Sequence, residues 1–232
     1  MSGDLKFWYL HNHKLFRNLS YSEINGLCIL KRFKKSKKNE LVDLPFDDKE
    51  KIYLLKHGTL KLIKINDEGD EITIDLLQKG DVFGEIGLTK PINQSEYFKV
   101  VSDEAIICTF LRENLEHVML QKPDFAIKYI KFIGFNFQKL QNNYKNILFK
   151  DAESRLLLFL HSLLEKENIL SNTFILPNYL TQKDISQLIC TTRQTVNKIF
   201  SDFAKDGLIE YNPKEILIKD VQKIKKLTEN VK

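Results

Sequence analysis

Long apolar runs and cysteine pairs are both missing from this chain of 232 residues. Its longest apolar runs, such as Leu156–Leu160, are far shorter than the roughly 20 residues that a membrane-spanning helix needs. Three cysteines, Cys28, Cys108 and Cys190, are too few and too far apart for a disulfide framework or a four-cysteine metal site. No secretory signal is evident at the beginning. These absences predict a cytoplasmic protein with no membrane partner, in which Cys108 and Cys190 are small buried apolar residues.

Catalytic signatures are missing as well. The chain shows no nucleophile–base motif, no phosphate-binding glycine loop and no metal-ligand spacing, which disfavours an enzyme. What it does have is 43% hydrophobic and 29% charged residues, a balance typical of a folded protein. Its net charge of +5 permits a polyanionic partner without proving one.

The first half of the chain predicts a short helical region followed by β-structure. Ser20 and Glu23 form a predicted capping box within residues 1–25. A hairpin turn is expected at residues 66–70, where Gly69 supplies a positive φ. From about Leu27 to Arg112, short β-branched and aromatic runs indicate strands; the clearest are Tyr53–Leu55, Leu60–Ile65, Ile72–Leu77 and Ala105–Leu111.

Two helices are predicted next, Glu113–Gln121 and a second from Pro123 to about Phe149. Along the second helix two sets of residues recur every seven positions, which is typical of a helix that packs on a partner helix. An ordinary core helix is the alternative. The expected dimer seam consists of Tyr129, Ile133, Asn136, Leu140, Asn143 and Ile147.

The most informative stretch is Leu180–Asp220, which follows a predicted helix at Ser154–Lys166. Thr181 and Asp184 begin a first short helix in a capping-box pattern, and Thr192 caps a second helix after a turn at residues 190–192. Two short helices joined by a tight turn describe a helix-turn-helix, whose second helix enters the DNA major groove. Its expected inner face is Val196, Ile199, Phe200 and Phe203, and its expected outer face is Arg193, Gln194, Asn197 and Lys198.

The outer face has the chemistry that base reading requires. Arginine and lysine donate to guanine O6 and N7, whereas glutamine and asparagine pair with adenine N6 and N7. A merely solvated helix surface is the alternative. Beyond this helix, Leu208–Tyr211 and Glu215–Lys219 predict a two-stranded wing, and the lysine-rich tail, residues 219–232, is expected to fray.

Two separated segments resemble the catabolite activator protein (CRP/FNR) family of bacterial regulators. Gly80–Leu88, GDVFGEIGL, resembles the family's G-D-x-x-G-E-x-x-L signature in its cyclic-nucleotide-binding β-barrel. Thr192–Lys198, TRQTVNK, is similar to its recognition-helix motif S-R-E-T-V-x-R. The resemblance covers about residues 5–220 and implies an α+β fold with three parts. These are a sensor β-roll (a double-stranded β-helix) with flanking helices at 1–121, a dimerisation helix and hinge at 122–150, and a winged helix-turn-helix at 151–232.

The resemblance implies a homodimer that reads a near-palindromic DNA operator, with RNA polymerase as a further partner if the protein activates transcription. Gln194 stands where many members have glutamate, and Lys198 where they have arginine, so we expect an operator that departs from the family's commonest half-site. The implied DNA-binding residues are Thr181, Thr192, Arg193, Gln194, Thr195, Asn197 and Lys198.

The implied effector pocket departs further from the family. An Arg-Ser pair holds the phosphate in cyclic-AMP-responsive members, but here its place is taken by Ser95-Glu96, and no arginine occurs between residues 33 and 111. Because Glu96 would repel a phosphate, cyclic AMP is disfavoured; a neutral or apolar ligand, or none, is favoured, and no cofactor is predicted. The pocket would comprise Gly84, Glu85, Ile86, Ser95, Glu96, Leu140 and Gln141.

Other functions are weaker alternatives. One iron–sulfur cluster needs about four cysteine ligands, and the chain has three. Haem binding stays open, although a lone histidine is usually an ordinary surface or core residue; the candidates are His11, His13, His57 and His117. The basic run Lys31–Lys38 favours a solvated face over a DNA contact. The rival function is a ligand-binding or protein-interaction module with a vestigial helix-turn-helix.

Overall fold

A computed structural model describes residues 10–27, 34–42, 51–84, 95–165 and 171–231. The chain divides into two compact units, residues 1–138 and 139–232. One long helix spans the division, and the three-part domain organisation expected above stays a prediction. No helix in the described ranges combines the length and apolar character needed to cross a membrane.

The first unit combines helices with two antiparallel sheets. Its helix α1 (Tyr21–Leu27) begins at the predicted capping box, where the Ser20 amide donates to Glu23 Oε2 at 2.7 Å. The sheets have strand orders β1-β7-β2-β5 and β4-β3-β6. The strands are β1 (Lys34–Lys37), β2 (Lys51–His57), β3 (Leu60–Ile65), β4 (Glu71–Leu77), β5 (Val82–Gly84), β6 (Glu96–Val100) and β7 (Glu104–Leu111).

Strand β2 lies between two hydrophobic clusters and is buried on both faces. Because side chains alternate across a strand, Ile52 and Leu54 point to one cluster, whereas Tyr53 and Leu55 point to the other. Strand β7 divides in the same way, and it buries Cys108 as predicted. One cluster packs the first sheet on the helices, and the other packs it on the second sheet, which gives three layers.

The predicted hairpin turn lies between strands β3 and β4. Strands β3 and β4 are joined by residues 66–70, in which Gly69 has a φ of +86° and Asn66 Oδ1 accepts from the Asp70 amide at 2.7 Å.

The basic run of the sequence lies partly on strand β1. Its Lys35, Lys37 and Lys38 are exposed on and beside β1, as expected for a solvated face. Residues 31–33 of that run lie outside the described residues.

Helices α2 (Arg112–Gln121) and α3 (Pro123–Phe149) follow closely the predicted bounds. At 1.5 Å per residue, the 27 residues of α3 extend about 40 Å. Phe125 is buried in the helix-side cluster, and Tyr129 and Phe132 pack partly buried against it. Apolar residues farther along α3 stay exposed in the single chain.

The second unit contains four helices and a small sheet in its described residues: α4 (Ala152–Glu165), β8 (Phe174–Pro177), α5 (Gln182–Leu188), α6 (Arg193–Lys205), β9 (Ile209–Tyr211), β10 (Glu215–Ile218) and α7 (Val221–Val231). The sheet order is β8-β10-β9, so the predicted two-stranded wing is part of a three-stranded sheet. Pairing of Leu176 with Ile216 explains the difference, because β8 is a four-residue strand whose partner lies about 40 positions away.

The expectation that the tail frays is wrong. Residues Val221–Val231 form α7, which packs on α4. Val221, Ile224 and Thr228 are buried at helical spacing along it, while the lysines lie between them. Asp220 Oδ1 accepts from the Lys223 amide at 2.8 Å and caps the first turn. The lysine-rich composition therefore marks the outer face of an amphipathic helix.

Candidate nucleic-acid interface

Helix α5 begins at the predicted capping box. The Thr181 amide donates to Asp184 Oδ2 at 2.9 Å, and the Asp184 amide donates to Thr181 Oγ1 at 3.1 Å. The Thr181 hydroxyl also donates to the same carboxylate at 2.7 Å. These bonds satisfy amide groups that a helix start leaves without partners, and they fix where α5 begins.

The turn of the helix-turn-helix passes through Cys190, which has a φ of +54°. Few residues other than glycine and asparagine adopt this left-handed conformation, which ends α5 and redirects the chain. The Thr191 amide donates back to Ser186 O at 2.8 Å and closes the turn. Cys190 is exposed here, so the prediction that it is a buried apolar residue is wrong. The short turn places it outside the core.

Helix α6 begins at Thr192, whose Oγ1 accepts from the Thr195 amide at 3.1 Å. The predicted inner face is confirmed: Val196, Ile199, Phe200 and Phe203 are all buried. The Phe200 ring packs on Tyr211 of β9, with centroids 5.0 Å apart. This packing fixes the rotation of α6 about its axis and therefore decides which residues face outward.

The outward face carries three exposed side chains, Arg193, Gln194 and Lys198. None of the three makes a hydrogen bond or ion pair with another described residue. Thr195 and Asn197 are half-buried at its edge, and Asn197 Oδ1 is buried without a hydrogen-bond partner among the described residues. The exposed ends are therefore free to donate and accept outside the protein.

The wing hairpin presents a further cation at its tip. Asn212 Oδ1 accepts from the amides of Lys214 and Glu215 at 2.8 and 3.0 Å and holds the turn. The Lys214 side chain is exposed on this turn.

The implied effector residues fall in separate parts of the chain. Gly84 ends β5 with a φ of +98°, and a Cβ there would lie 2.7 Å from the Lys51 carbonyl oxygen and 2.8 Å from Tyr53 Cδ2. Packing alone therefore requires glycine at this position. Ser95 and Glu96 lie half-buried at the start of β6, and Leu140 and Gln141 are exposed on α3 in the second unit. Glu85 and Ile86 lie outside the described residues.

The histidine candidates for haem have varied surroundings. The Leu15 amide donates to His13 Nδ1 at 3.2 Å, so Nε2 carries the proton that is donated to Gly80 O at 3.0 Å. Both ring nitrogens are thus used inside the unit, and burial lowers the pKa of His13. His117 Nε2 bonds Gln121 Nε2 at 2.9 Å, and His11 and His57 are exposed. Nowhere in the described ranges do three His, Cys, Asp or Glu side chains group to hold a metal.

Two models of known protein families match this chain, one in each unit. The Crp-like helix-turn-helix domain model matches residues 154–227, and the cyclic nucleotide-binding domain model matches residues 34–122. The chain belongs to the CRP/FNR family of transcription regulators. Members of this family regulate transcription and are not enzymes. The resemblance, the α+β fold and the DNA-binding class expected from the sequence are confirmed.

Similar regulators cover most of this CRP/FNR chain. The CRP-like cAMP-activated global transcriptional regulator of Mycobacterium tuberculosis is 23% identical over 176 residues, 75% of this chain and 78% of the relative. Electron transport regulator A of Shewanella oneidensis is 25% identical over 218 residues, 92% and 86% of the two chains. The structure of FixK2 from Bradyrhizobium japonicum has a TM-score of 0.69 at 17% identity and covers 84% of this chain and 96% of that one. This last likeness concerns the fold alone.

Removing the cap of α6 is expected to weaken the second unit. Thr192→Ala loses the oxygen that accepts from the Thr195 amide, and such a loss costs about 1 kcal/mol of unfolding free energy. Thr192→Asp keeps an acceptor at the cap and should retain stability. Urea unfolding followed by circular dichroism measures both. Thr191→Ala, one residue earlier, is the matched control, and an equal loss in that variant would contradict the capping role.

Proposed function

We propose that this CRP/FNR regulator binds a near-palindromic DNA operator as a homodimer, with α6 in the major groove, and that cyclic AMP does not control it. The observation that carries the proposal is the division of α6 into a buried apolar face and an outward face with three uncommitted polar ends. A helix with this division can place its N-terminal residues against base edges without disturbing its own core.

The outward side chains suggest which bases are read. Arg193 has the two-pronged donor geometry that matches guanine O6 and N7, and Gln194 can pair with adenine N6 and N7. Lys198 donates as a point charge and discriminates guanine less sharply than arginine would. Thr181, Thr192 and Thr195 lie near the two helix starts, where hydroxyls and amides bind phosphates.

Asn197 has a distinct position within the proposed interface. Its Oδ1 is buried without a described partner, a situation that costs a folded protein about 1–3 kcal/mol. The half-buried amide group also lies one helical turn beyond Arg193, on the edge of the reading face. A binding role for this asparagine would explain why a polar side chain occupies the site.

Phosphate contacts would supply much of the affinity. Lys214 at the wing tip and Lys183 in the first turn of α5 are exposed cations in the same unit as the reading helix. Cations that neutralise phosphates release counterions, so binding should weaken steeply as salt rises. A DNA operator as the target implies a cytoplasmic protein. An activator role would add RNA polymerase as a partner.

The proposed dimer rests on apolar residues of α3. Six of them recur with alternating spacings of three and four, the pattern of a coiled-coil seam. In the single chain their exposed fractions run from 38% to 69%, far from a core environment. A second copy is the natural occupant, because identical helices present the same stripe to each other. The six are Ile130, Ile133, Phe137, Leu140, Tyr144 and Ile147.

The sequence predicts two sets of residues that recur every seven positions along α3. The proposed seam contains one of these sets and replaces the other. Ile133, Leu140 and Ile147 are retained. Tyr129 is half-buried against the first unit's own core, where burial raises its pKa to about 12. The second set therefore moves by one residue, and Asn136 and Asn143 flank the seam as exposed polar positions.

The effector part of the proposal follows from charge. A cyclic phosphate needs a cationic partner, and the described positions Ser95 and Glu96 offer a hydroxyl and a carboxylate instead. Gly84 has a packing reason to be glycine, so its presence does not call for a nucleotide. We propose a neutral or apolar effector, or constitutive binding.

Substituting Arg193 tests the base-reading role. Arg193→Ala should abolish operator preference while the dimer stays intact, because a bidentate contact to guanine contributes about 1–3 kcal/mol, roughly 5- to 150-fold in affinity. Fluorescence anisotropy on a duplex recovered from bound genomic fragments measures the change. Lys205→Ala removes the same charge at the far end of α6 and should have little effect. The assignment would be refuted if Arg193→Ala kept its affinity for the operator and its preference over unrelated duplexes.

A charge in the seam tests the dimer. Leu140→Glu puts two carboxylates at an interface that should be apolar, and the molar mass from light scattering is expected to halve at micromolar concentration. Affinity for the full operator should fall toward that for one half-site. Asn142→Glu, exposed two residues away and off the seam, should stay dimeric. A dimeric Leu140→Glu would contradict the assigned seam.

Cyclic AMP itself tests the effector proposal. At 100 times its dissociation constant a ligand adds about 2.7 kcal/mol to stability, enough to raise the melting temperature measurably. We expect neither the melting temperature nor operator affinity to change with cyclic AMP at up to 100 μM. A clear shift at micromolar concentration would show that Glu96 does not prevent phosphate binding.

A further inference from the structure

Arg155, near the start of α4, connects two segments of the second unit through its guanidinium. Nη1 donates to Lys150 O at 2.7 Å and to Ile147 O at 3.4 Å, at the C-terminal end of α3. Nε donates to Ile189 O at 2.8 Å and Nη2 to Cys190 O at 3.1 Å, in the turn of the helix-turn-helix. We call these four hydrogen bonds the Arg155 bridge.

The bridge matches what the two segments lack. Ile147 belongs to the last turn of α3, whereas Lys150 follows the end of α3, and Ile189 and Cys190 follow the end of α5. Carbonyls at the C-terminal end of a helix lack a partner within the helix and carry partial negative charge. A guanidinium is always charged and presents its donors in one rigid plane. The four hydrogen bonds of the guanidinium all go to backbone carbonyls. Arg155 also adds to the lowering of the Asp151 pKa, which the Ser154 hydrogen bonds cause first. Half-burial limits the competition from water.

We propose that Arg155 is a positioning residue. It holds the DNA-reading head, which consists of helices α5 and α6, at a fixed placement relative to the C-terminal end of α3. The inference rests on the proposed function, because it assigns a role within dimeric DNA reading. All five residues of the bridge lie in the second unit, as do Leu140, Tyr144 and Ile147 of the seam. Ile147 takes part in both, since its side chain lies in the seam and its carbonyl accepts from Arg155.

The consequence for DNA is a fixed distance between the two reading heads. Inserting one base pair between half-sites moves one half-site by about 3.4 Å and rotates it by about 35°. A head held by four hydrogen bonds cannot follow such a shift without breaking them. A head that has lost the bridge can, so Arg155 determines specificity for operator spacing rather than for any base.

The experiment measures affinity for three duplexes with native spacing, one base pair more and one base pair fewer. For the wild-type protein we expect an altered spacing to lower affinity roughly tenfold or more, as defective sites usually do. In Arg155→Gln, affinity at native spacing should fall while the spacing penalty shrinks to about threefold or less. Arg155→Lys keeps the charge without the planar fork and should be intermediate. Lys205→Gln removes the same charge elsewhere in the second unit and should keep the full penalty.

One outcome would overturn the assignment, an unchanged spacing penalty in a folded Arg155→Gln variant. This covers both a variant that loses affinity equally on all three duplexes, as a merely destabilised second unit would, and a variant that loses none. If Arg155→Gln does not fold, the same criteria apply to Arg155→Lys.

Amide hydrogen exchange tests the bridge without DNA and so separates it from the proposed function. Loss of Arg155 should speed exchange in residues 148–151 and 189–193 together, while β2 and β7 of the first unit are unchanged. Unchanged exchange in both segments would refute the bridge. Failure of the wild-type protein to bind any duplex would instead refute the proposed function. The exchange measurement would then still test whether the Arg155 bridge holds the two segments together.

Discussion

Burial of the apolar side chains of α3 is the constraint on which the rest of the proposed assembly depends. At its start the helix packs on its own unit through Phe125, Tyr129 and Phe132. Farther along, apolar residues on a second face are exposed among the described residues, and a partner surface would bury them. In the proposed dimer, one helix would meet two requirements at different places along its length, a core for its own unit and a contact for a second copy.

In the proposed assembly, the second unit would set how the DNA-reading side chains are placed. The apolar face of α6 is buried against neighbours that include Tyr211, so its rotation is set by packing and the positions of Arg193, Gln194 and Lys198 follow from it. Capping at Thr181 and Thr192 sets where the two short helices begin. Core packing, caps and the Arg155 bridge are separate interactions, yet each determines where the same few side chains lie.

Local interactions made much of this predictable from the sequence. Both capping boxes, the 66–70 turn and the bounds of α3 depend on residues within a few positions of one another, so their patterns are visible along the chain. The strand β8 and the helix α7 were missed because each is stabilised by distant partners, β10 and α4. The phase of the seam depends on which face of α3 the first unit buries, and Tyr129 shows that periodicity alone does not decide it. Arg155 shows no sequence signal beyond its place near a helix start, because its four acceptors are backbone atoms.

Glu96 and Gly84, on which the effector proposal rests, lie in one unit, and the proposed reading helix lies in the other. The central claim, a dimer reading two half-sites, is tested most directly by selecting bound duplexes from a random pool with the full chain and sequencing them. The account predicts enrichment of one half-site present twice in inverted orientation, with centres about 10 base pairs apart or a multiple of that. Enrichment of single or directly repeated sites, or no enrichment, would contradict it.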